Sequence, residues 1–136
     1  MGRDETAYLL ARAIQFFLPG VPQVYYVGLL AGHNDMELLA RTQVGRDINR
    51  HHYSEDEIAR DCERPVVRRL IELIRLRNRH PAFAGDFRLE PGSDEELHLR
   101  WQLQGEWAAL RVNFRDLAHE LSYSIDGGGC ESFAFS

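Results

Sequence analysis

The sequence of residues 18–53, LPGVPQVYYVGLLAGHNDMELLARTQVGRDINRHHY, places a short apolar run directly before a long polar segment. The run VYYV at residues 24–27 consists of β-forming residues without polar alternation, which predicts a strand buried on both faces, as in a parallel sheet. The residues that follow are rich in Gly, Asn, Asp, Arg and His and lack a core periodicity. We therefore expect a doubly buried strand followed by a long polar loop.

The segment before this stretch has the pattern of a helix. Residues 5–17 carry apolar residues three and four positions apart, and Asp4 is the expected N-cap. Pro19 and Gly20 are typical of the end of a helix. The predicted apolar face consists of Leu9, Leu10, Ala13, Ile14 and Phe17.

Two further helices are predicted after the polar loop. Ser54 and Glu57 have the spacing of a capping box, which predicts a short helix over EDEIARDC. Pro65 suits the first turn of a longer helix, RPVVRRLIELIRLRNRH, whose last turns are rich in arginine. Its predicted apolar face consists of Val67, Leu70, Ile71 and Ile74. Within the loop, NDMELLART suggests one more short helix that starts at Asn34 or Asp35.

From residue 85 the pattern changes to alternating apolar and polar residues, interrupted by turn sequences such as EPGSD and DGGG. This pattern predicts about five antiparallel strands with one buried face. We therefore divide the chain into residues 1–84 and residues 85–136. A unit of about 50 residues is small for independent stability, so we expect it to pack against the helices. Trp101 and Trp107 are expected to pack in the core.

A single doubly buried strand cannot form a sheet, because both of its edges and both of its faces need partners. Residues 1–84 contain no other candidate strand. The sequence therefore indicates a piece of a larger α/β protein, with the missing strands upstream or in another chain. The exposed apolar faces of such a piece lead us to expect that the isolated chain aggregates, oligomerises or stays partly molten.

Composition excludes several function classes. The 136 residues carry a net charge of −5, which argues against a general nucleic-acid-binding protein. The longest apolar run is far shorter than the ~20 residues of a membrane span. The start resembles no signal peptide, so we expect a cytoplasmic protein whose Cys62 and Cys130 are reduced thiols.

Three segments carry a resemblance to a known family: LLARAIQFFLPGVPQVYYVGLLAGHNDMELL, GRDINRHHYSEDEI and RPVVRRLIELIRLRNRHPAF. They closely resemble the sucrose phosphorylase subfamily, within the α-amylase superfamily of glycoside hydrolases. The resemblance covers residues 5–84. GLLAGHND and GRDINRHHY are its most specific motifs, whereas the β unit matches only in position and type.

The resemblance implies the last part of a (β/α)₈ TIM barrel followed by a small antiparallel β domain. Residues 5–17 look like the seventh helix, residues 22–28 like the eighth strand, residues 29–63 like the loop after it, and residues 64–80 like the eighth helix. Active sites of such barrels lie at the carboxyl ends of the strands. The long polar loop is thus expected to face a sugar pocket, while Tyr25 and Tyr26 fill the barrel interior and the helix layer.

The resemblance also implies a reaction. Enzymes of this subfamily transfer glucose from sucrose to phosphate by the retaining scheme, through a covalent glucosyl-enzyme, and release fructose. Their catalytic carboxylates lie on strands four, five and seven, which would precede residue 5. No catalytic residue is therefore expected in this chain, and alone it is expected to be inactive. No cofactor or metal is implied.

Substrate-binding residues are expected in the loop. Arg46 is the first candidate, because the arginine at this place in the family reaches the glucosyl hydroxyls and its planar fork suits sugar oxygens or a carboxylate. Asp47 and Asn49 are expected mainly to hold the loop through bonds to the backbone, and Asn34 and Asp35 are weaker candidates. His33, His51 and His52 are interpreted as exposed loop histidines without metal-site spacing, and binding of phosphate or sugar by one of them is the alternative.

Other functions remain open from the sequence. Near relatives act on sucrose 6-phosphate, glucosylglycerate or glucosylglycerol, and the loop motifs do not separate them from sucrose. The chain also fits a carbohydrate-binding or structural module that completes the barrel of another chain, or a split enzyme. A homo-oligomer is a further option. The expected partners in the full-length enzyme are sucrose and phosphate, without nucleic acid or membrane.

Overall fold

A computed structural model describes residues 5–126 and 128–135. Its α-helices are α1 (Glu5–Phe17), α2 (Tyr26–Leu29), α3 (Met36–Thr42), α4 (Glu55–Cys62) and α5 (Pro65–Arg79), and 3₁₀ turns lie at Gly45–Asn49 and Pro81–Ala84. The strands are β1 (Asp86–Glu90), β2 (Glu96–Leu103), β3 (Glu106–Asn113), β4 (His119–Ile125) and β5 (Gly129–Ser132). The expected N-cap Asp4 lies outside the described residues.

The predicted helices α1, α4 and α5 are confirmed within one or two residues. Pro65 occupies the first turn of α5, and the capping box of Ser54 and Glu57 begins α4. The two long helices α1 and α5 pack against each other. Their buried residues are Leu9, Leu10, Ala13, Phe16 and Phe17 on α1, and Val66, Val67, Leu70 and Leu73 on α5.

The strand predicted at residues 22–28 is wrong for this chain. Tyr25 keeps an extended backbone (φ −72°, ψ 149°), but α2 begins at Tyr26 and the segment pairs with no described strand. An apolar β sequence forms a strand only where neighbouring strands accept its backbone hydrogen bonds. Without those neighbours, Tyr25 is 51% exposed and Tyr26 is 40% exposed, so neither fills a core.

The predicted β unit is confirmed as an antiparallel meander in the order β1-β2-β3-β4-β5. The register places Leu99 opposite Leu110 and Leu110 opposite Leu121, so that one row of leucines runs across the sheet. All three are buried, as are Trp101 on β2 and Ala108 and Val112 on β3. This apolar face is the one that packs against the helices.

Helices and sheet share one hydrophobic core, as expected from the small size of the β unit. The ring of Phe83 in the connecting 3₁₀ turn meets Phe17 edge-on at 5.1 Å and lies 6.0 Å from Trp101. Trp101 is buried in this core, whereas Trp107 is half-buried beneath Arg100. The expectation that the apolar faces of both helices lack partners is therefore wrong, because each helix buries its face against the other and against the sheet.

Among the described residues, no helix combines the length and the apolar composition that crossing a membrane requires. The division of the chain at residues 84 and 85 coincides with the short interval between the 3₁₀ turn Pro81–Ala84 and β1. As a boundary between two domains it stays a prediction.

Candidate functional site

Asp35 organises the first half of the polar loop. It is the N-cap of α3, and its Oδ1 accepts a hydrogen bond of 2.7 Å from the backbone N–H of Leu38. A carboxylate in this position satisfies one of the free N–H groups at the helix start and suits the helix dipole. The C-cap of α3 is Gln43, which adopts a left-handed backbone conformation with φ 55°.

The second half of the loop contains the 3₁₀ turn Gly45–Asn49, which carries Arg46. The backbone N–H of Asp35 donates a hydrogen bond of 2.6 Å to the carbonyl of Ile48. This bond brings the start of α3 next to the end of the 3₁₀ turn. Residues 35–48 therefore form a closed excursion whose two ends are held together.

His51 connects this excursion to α4. Its Nδ1 lies 2.8 Å from Oδ2 of Asp35, and its Nε2 lies 3.4 Å from Oε1 of Glu57. Oε2 of Glu57 accepts hydrogen bonds from the backbone N–H and the hydroxyl of Ser54, at 2.8 and 2.9 Å. One imidazole thus joins the capping groups of two helices.

The three side chains shift one another's pKa. The hydrogen bond that His51 donates to Asp35 raises the pKa of His51 above its ordinary 6.5, and Glu57 adds to the effect. The hydrogen bond to His51, followed by that from the Leu38 N–H, lowers the pKa of Asp35 below 3.8. The pKa of Glu57 falls below 4.5, first because of the backbone N–H of Ser54. All three shifts favour the charged state of the cluster.

A mainly apolar cavity of about 440 Å³ lies beside this cluster, lined by residues that include Tyr26, Leu30, His51 and Tyr53. The Tyr53 ring meets His51 edge-on at 4.6 Å and Tyr26 edge-on at 6.1 Å. The hydroxyl of Tyr26 donates to the carbonyl of His51 at 3.1 Å. Hydrophobic and aromatic side chains with a few polar groups form the usual lining of a small-molecule site.

A larger cavity, of about 620 Å³, lies between α5 and the ends of β4 and β5. It is lined by arginines 69, 75 and 79 but also by Glu72, Glu106 and Asp126. The lining therefore carries charges of both signs, and it contains no residue of the polar loop. We therefore place the candidate site at the polar loop rather than at the larger cavity.

The structure brings only one of the five predicted site residues into the cluster, namely Asp35. Among the described residues, Arg46 and Asn34 are exposed and form no side-chain hydrogen bond or ion pair. The expected backbone bonds from the side chains of Asp47 and Asn49 are not formed within the described region. The 3₁₀ turn is held instead by main-chain bonds, such as the bond of 2.8 Å from the Asp47 N–H to the carbonyl of Val44.

His51 is the residue that the sequence interpretation missed. The sequence predicts an exposed loop histidine at this position, whereas the His51 side chain is 35% exposed and bonded on both ring nitrogens. Its partner Asp35 is 16 positions away, so no helical or strand periodicity connects the two residues. The described residues contain no group of three or more His, Cys, Asp or Glu side chains arranged to hold a metal ion.

Comparisons with known proteins identify relatives of the whole chain. It is 53% identical over 136 residues to a sucrose phosphorylase of Agrobacterium vitis, and covers 27% of that protein. It is 43% identical over 122 residues, or 90% of the chain, to a glucosylglycerol phosphorylase of Marinobacter adhaerens, of which it covers 25%. No protein-family model matches the chain.

A solved structure has the same fold. The crystal structure of sucrose 6F-phosphate phosphorylase from Thermoanaerobacter thermosaccharolyticum superposes with a TM-score of 0.91 at 44% sequence identity. The match covers 96% of this chain and 26% of that one. The chain therefore spans about a quarter of the length of the relatives that it matches.

Proposed function

The chain is homologous over its whole length to sucrose phosphorylase and its relatives, glycoside phosphorylases of the α-amylase family, and from this premise we propose that it forms the C-terminal part of such an enzyme. The observation that carries the proposal is the 53% identity over all 136 residues of the chain, together with the TM-score of 0.91. In this proposal α1 is the seventh barrel helix, α5 is the eighth, and the five-stranded sheet is the C-terminal β domain.

The proposed reaction is phosphorolysis of sucrose with retention of configuration. A carboxylate attacks the anomeric carbon of the glucosyl unit, the bond to the fructosyl oxygen breaks, and a carboxylic acid supplies the proton to that oxygen. A phosphate oxygen then displaces the enzyme carboxylate and gives α-glucose 1-phosphate. We propose that these carboxylates lie in the part of the enzyme that precedes this chain, so that the chain alone does not turn over.

Within the site, we assign Arg46 to the glucosyl hydroxyls. The guanidinium is exposed and is not engaged by any described side chain, so that its N–H donors are available to a ligand. Asn34, Asp47 and Asn49 are secondary candidates. Asp35 is a weaker one, because its carboxylate already holds the start of α3 and the ring of His51.

The exposed apolar residues of the segment before the loop support the proposal that further chain covers it. Val21 is 89% exposed, and Leu18 and Tyr25 are about half exposed. The backbone of Tyr25 is already extended directly before α2. Pairing with neighbouring barrel strands would bury these side chains and satisfy the free backbone groups.

The glucosyl donor is the least constrained part of the proposal. The relatives described above are named for different donors, and their identities of 43 to 53% are similar. We place sucrose first, with sucrose 6-phosphate, glucosylglycerol and glucosylglycerate as alternatives. The residues that distinguish these donors are expected mostly outside this chain.

The test is phosphorolysis of these four donors by an enzyme in which this chain is joined to its upstream coding sequence. We expect α-glucose 1-phosphate from sucrose, and expect Arg46→Ala to lower kcat/KM by roughly a hundredfold, as for the loss of charge-assisted hydrogen bonds. Arg60→Ala, at an exposed position on α4, is the matched control. Preference for another donor would mean that sucrose is not the substrate. Equal activity of the two variants would mean that Arg46 does not bind the substrate.

A further inference from the structure

We propose that His51 is a positioning residue. Its hydrogen bonds to Asp35 and Glu57, called the pin below, hold the excursion of residues 35–48 against α4 and thereby hold Arg46 at the sugar pocket. The role of Arg46 rests on the proposed function, whereas the pin itself rests on the geometry of this chain. His51 is expected to touch neither the sugar nor the reacting atoms.

The ring of His51 lies between two carboxylates that begin different helices. Asp35 caps α3 and Glu57 completes the capping box of α4, and the ring nitrogens lie 2.8 and 3.4 Å from their oxygens. The main-chain bond from Asp35 to Ile48 passes this restraint on to the end of the 3₁₀ turn. Arg46 lies two residues before Ile48. Its backbone position therefore depends on the bonds from His51 to Asp35 and from Asp35 to Ile48.

Both carboxylates accept hydrogen bonds, so both ring nitrogens of His51 must donate. A neutral imidazole has one N–H, whereas the imidazolium has two. The complete pin is therefore the imidazolium form. The raised pKa of His51 and the lowered pKa values of Asp35 and Glu57 agree with this reading.

Other charged and titratable groups lie around the cluster. Arg41 is close enough to lower the pKa of Asp35, and Arg50 is close enough to act on Tyr26. On the other side, burial is the main cause that raises the pKa of Tyr53. Asp61 raises this pKa further, and Arg64 lowers it. These groups do not appear among the causes that shift His51, which are Asp35, Glu57 and burial.

The sign of the pH dependence follows from the folded pKa of His51. Because that pKa is raised, the pin is complete below pH 6.5 and loses one of its two hydrogen bonds as the pH rises through the raised value. At the acid end, the pin weakens as the pH falls through the lowered pKa values of Asp35 and Glu57.

The first experiment measures backbone amide hydrogen exchange in this chain, without any assay of activity. The amides of Asp35 and Leu38 are expected to exchange about tenfold faster in His51→Gln than in the wild type. His52→Gln is the matched control, since His52 is the exposed neighbour on the same loop. Unchanged protection in His51→Gln would overturn the pin, whatever the enzyme does.

The second experiment uses the longer enzyme with its preferred donor and phosphate. We expect His51→Gln to raise KM about tenfold with a smaller effect on kcat, and to add little once Arg46 has been replaced by Ala. His51→Lys keeps a positive charge with several donors, and is expected to restore KM and flatten its pH dependence above pH 6.5. Additive effects of His51→Gln and Arg46→Ala would contradict positioning through Arg46.

The outcomes of the two experiments are separable. An inactive longer enzyme would contradict the proposed function and the link to Arg46, while altered exchange would still support the pin. An active enzyme with unaltered exchange would contradict the pin and leave the proposed function standing.

Discussion

The indole Nε1–H of Trp101, on β2, donates a hydrogen bond of 2.7 Å to the backbone carbonyl of Phe17, the last residue of α1. Both residues are buried, and they are 84 positions apart in the chain. Carbonyls in the last turn of a helix have no partner within the helix, so this bond satisfies a group that would otherwise be buried without one. The sheet is therefore fastened to the end of the first helix.

We predict that Trp101→Phe lowers the free energy of unfolding by about 1–3 kcal/mol, because the carbonyl of Phe17 loses its donor inside the core. Trp107→Phe, at a half-buried position of β3, is expected to lower the free energy of unfolding by less than about 1 kcal/mol. Urea denaturation followed by circular dichroism measures both. A cost for Trp101→Phe no larger than that for Trp107→Phe would show that the bond does not fasten the sheet to the helix.

Substitutions of Arg77 can separate the contribution of side-chain packing to stability from the contribution of its charge. Its guanidinium lies over the rings of Phe83 and Trp101, at 4.6 and 5.2 Å, and its buried Nε has no hydrogen-bond partner among the described atoms. Burial lowers the pKa of this side chain. We expect Arg77→Ala to cost about 1–2 kcal/mol of unfolding free energy, because the aliphatic stem and the ring contacts are lost.

Arg77→Met is expected to change the unfolding free energy by less than about 0.5 kcal/mol, because it keeps most of the stem and removes the unsatisfied Nε. The midpoints of urea unfolding compare the two variants directly. If Met proved as costly as Ala, the main contribution of Arg77 would come from its charged head, through the cation–π contacts and its hydrogen bond to the Gly20 carbonyl, rather than from packing.

The capping box of α4 predicts a local loss of stability. Ser54→Ala removes the acceptor for the Glu57 N–H and a donor to the Glu57 carboxylate, and is expected to cost about 1 kcal/mol. Ser93 has the same spacing from Glu96 but precedes a strand, so Ser93→Ala is expected to cost less than about 0.5 kcal/mol. Thermal melts of both variants test the difference, and equal losses would contradict a specific helix-starting role of Ser54.

The cluster around His51 predicts a pH-dependent stability. The folded pKa of His51 is raised, so its contribution is present below pH 6.5 and decreases as the pH rises through the raised value. The urea midpoints of wild type and His51→Gln are therefore expected to differ at about pH 6 and to converge at about pH 9. His52→Gln should track the wild type at both values. A difference that grows towards pH 9 would mean that the sign of the linkage is wrong.

Most helices and all five strands could be predicted because each is encoded within its own segment. Period-3.6 apolar residues indicate α1 and α5, Ser54 and Glu57 mark the start of α4, and alternation with intervening turn sequences indicates the sheet. The apolar run at residues 24–27 has the composition of a strand, but strand formation depends on neighbours that these residues do not have in this structure, so the prediction fails there.

The candidate site was less predictable for a similar reason. The position of Asp35 as a helix cap follows from local sequence, and the structure confirms it. The contacts of His51 join residues 16 and 6 positions away across a turn of irregular backbone, and no periodic pattern encodes them. The same applies to the bond between Trp101 and Phe17. Tertiary contacts of single polar groups have to be read from the fold.

Formation of α-glucose 1-phosphate from sucrose and phosphate is the most direct measurement, made on this chain alone and on the same chain joined to its upstream coding sequence. We predict product only from the longer enzyme, because the catalytic carboxylates are proposed to precede this chain. Product from the short chain would contradict that placement and direct attention to Asp35, Glu37 and Asp47 as carboxylates. Absence of product from both, with sucrose and with the three alternative donors, would contradict the proposal that this chain belongs to a phosphorylase.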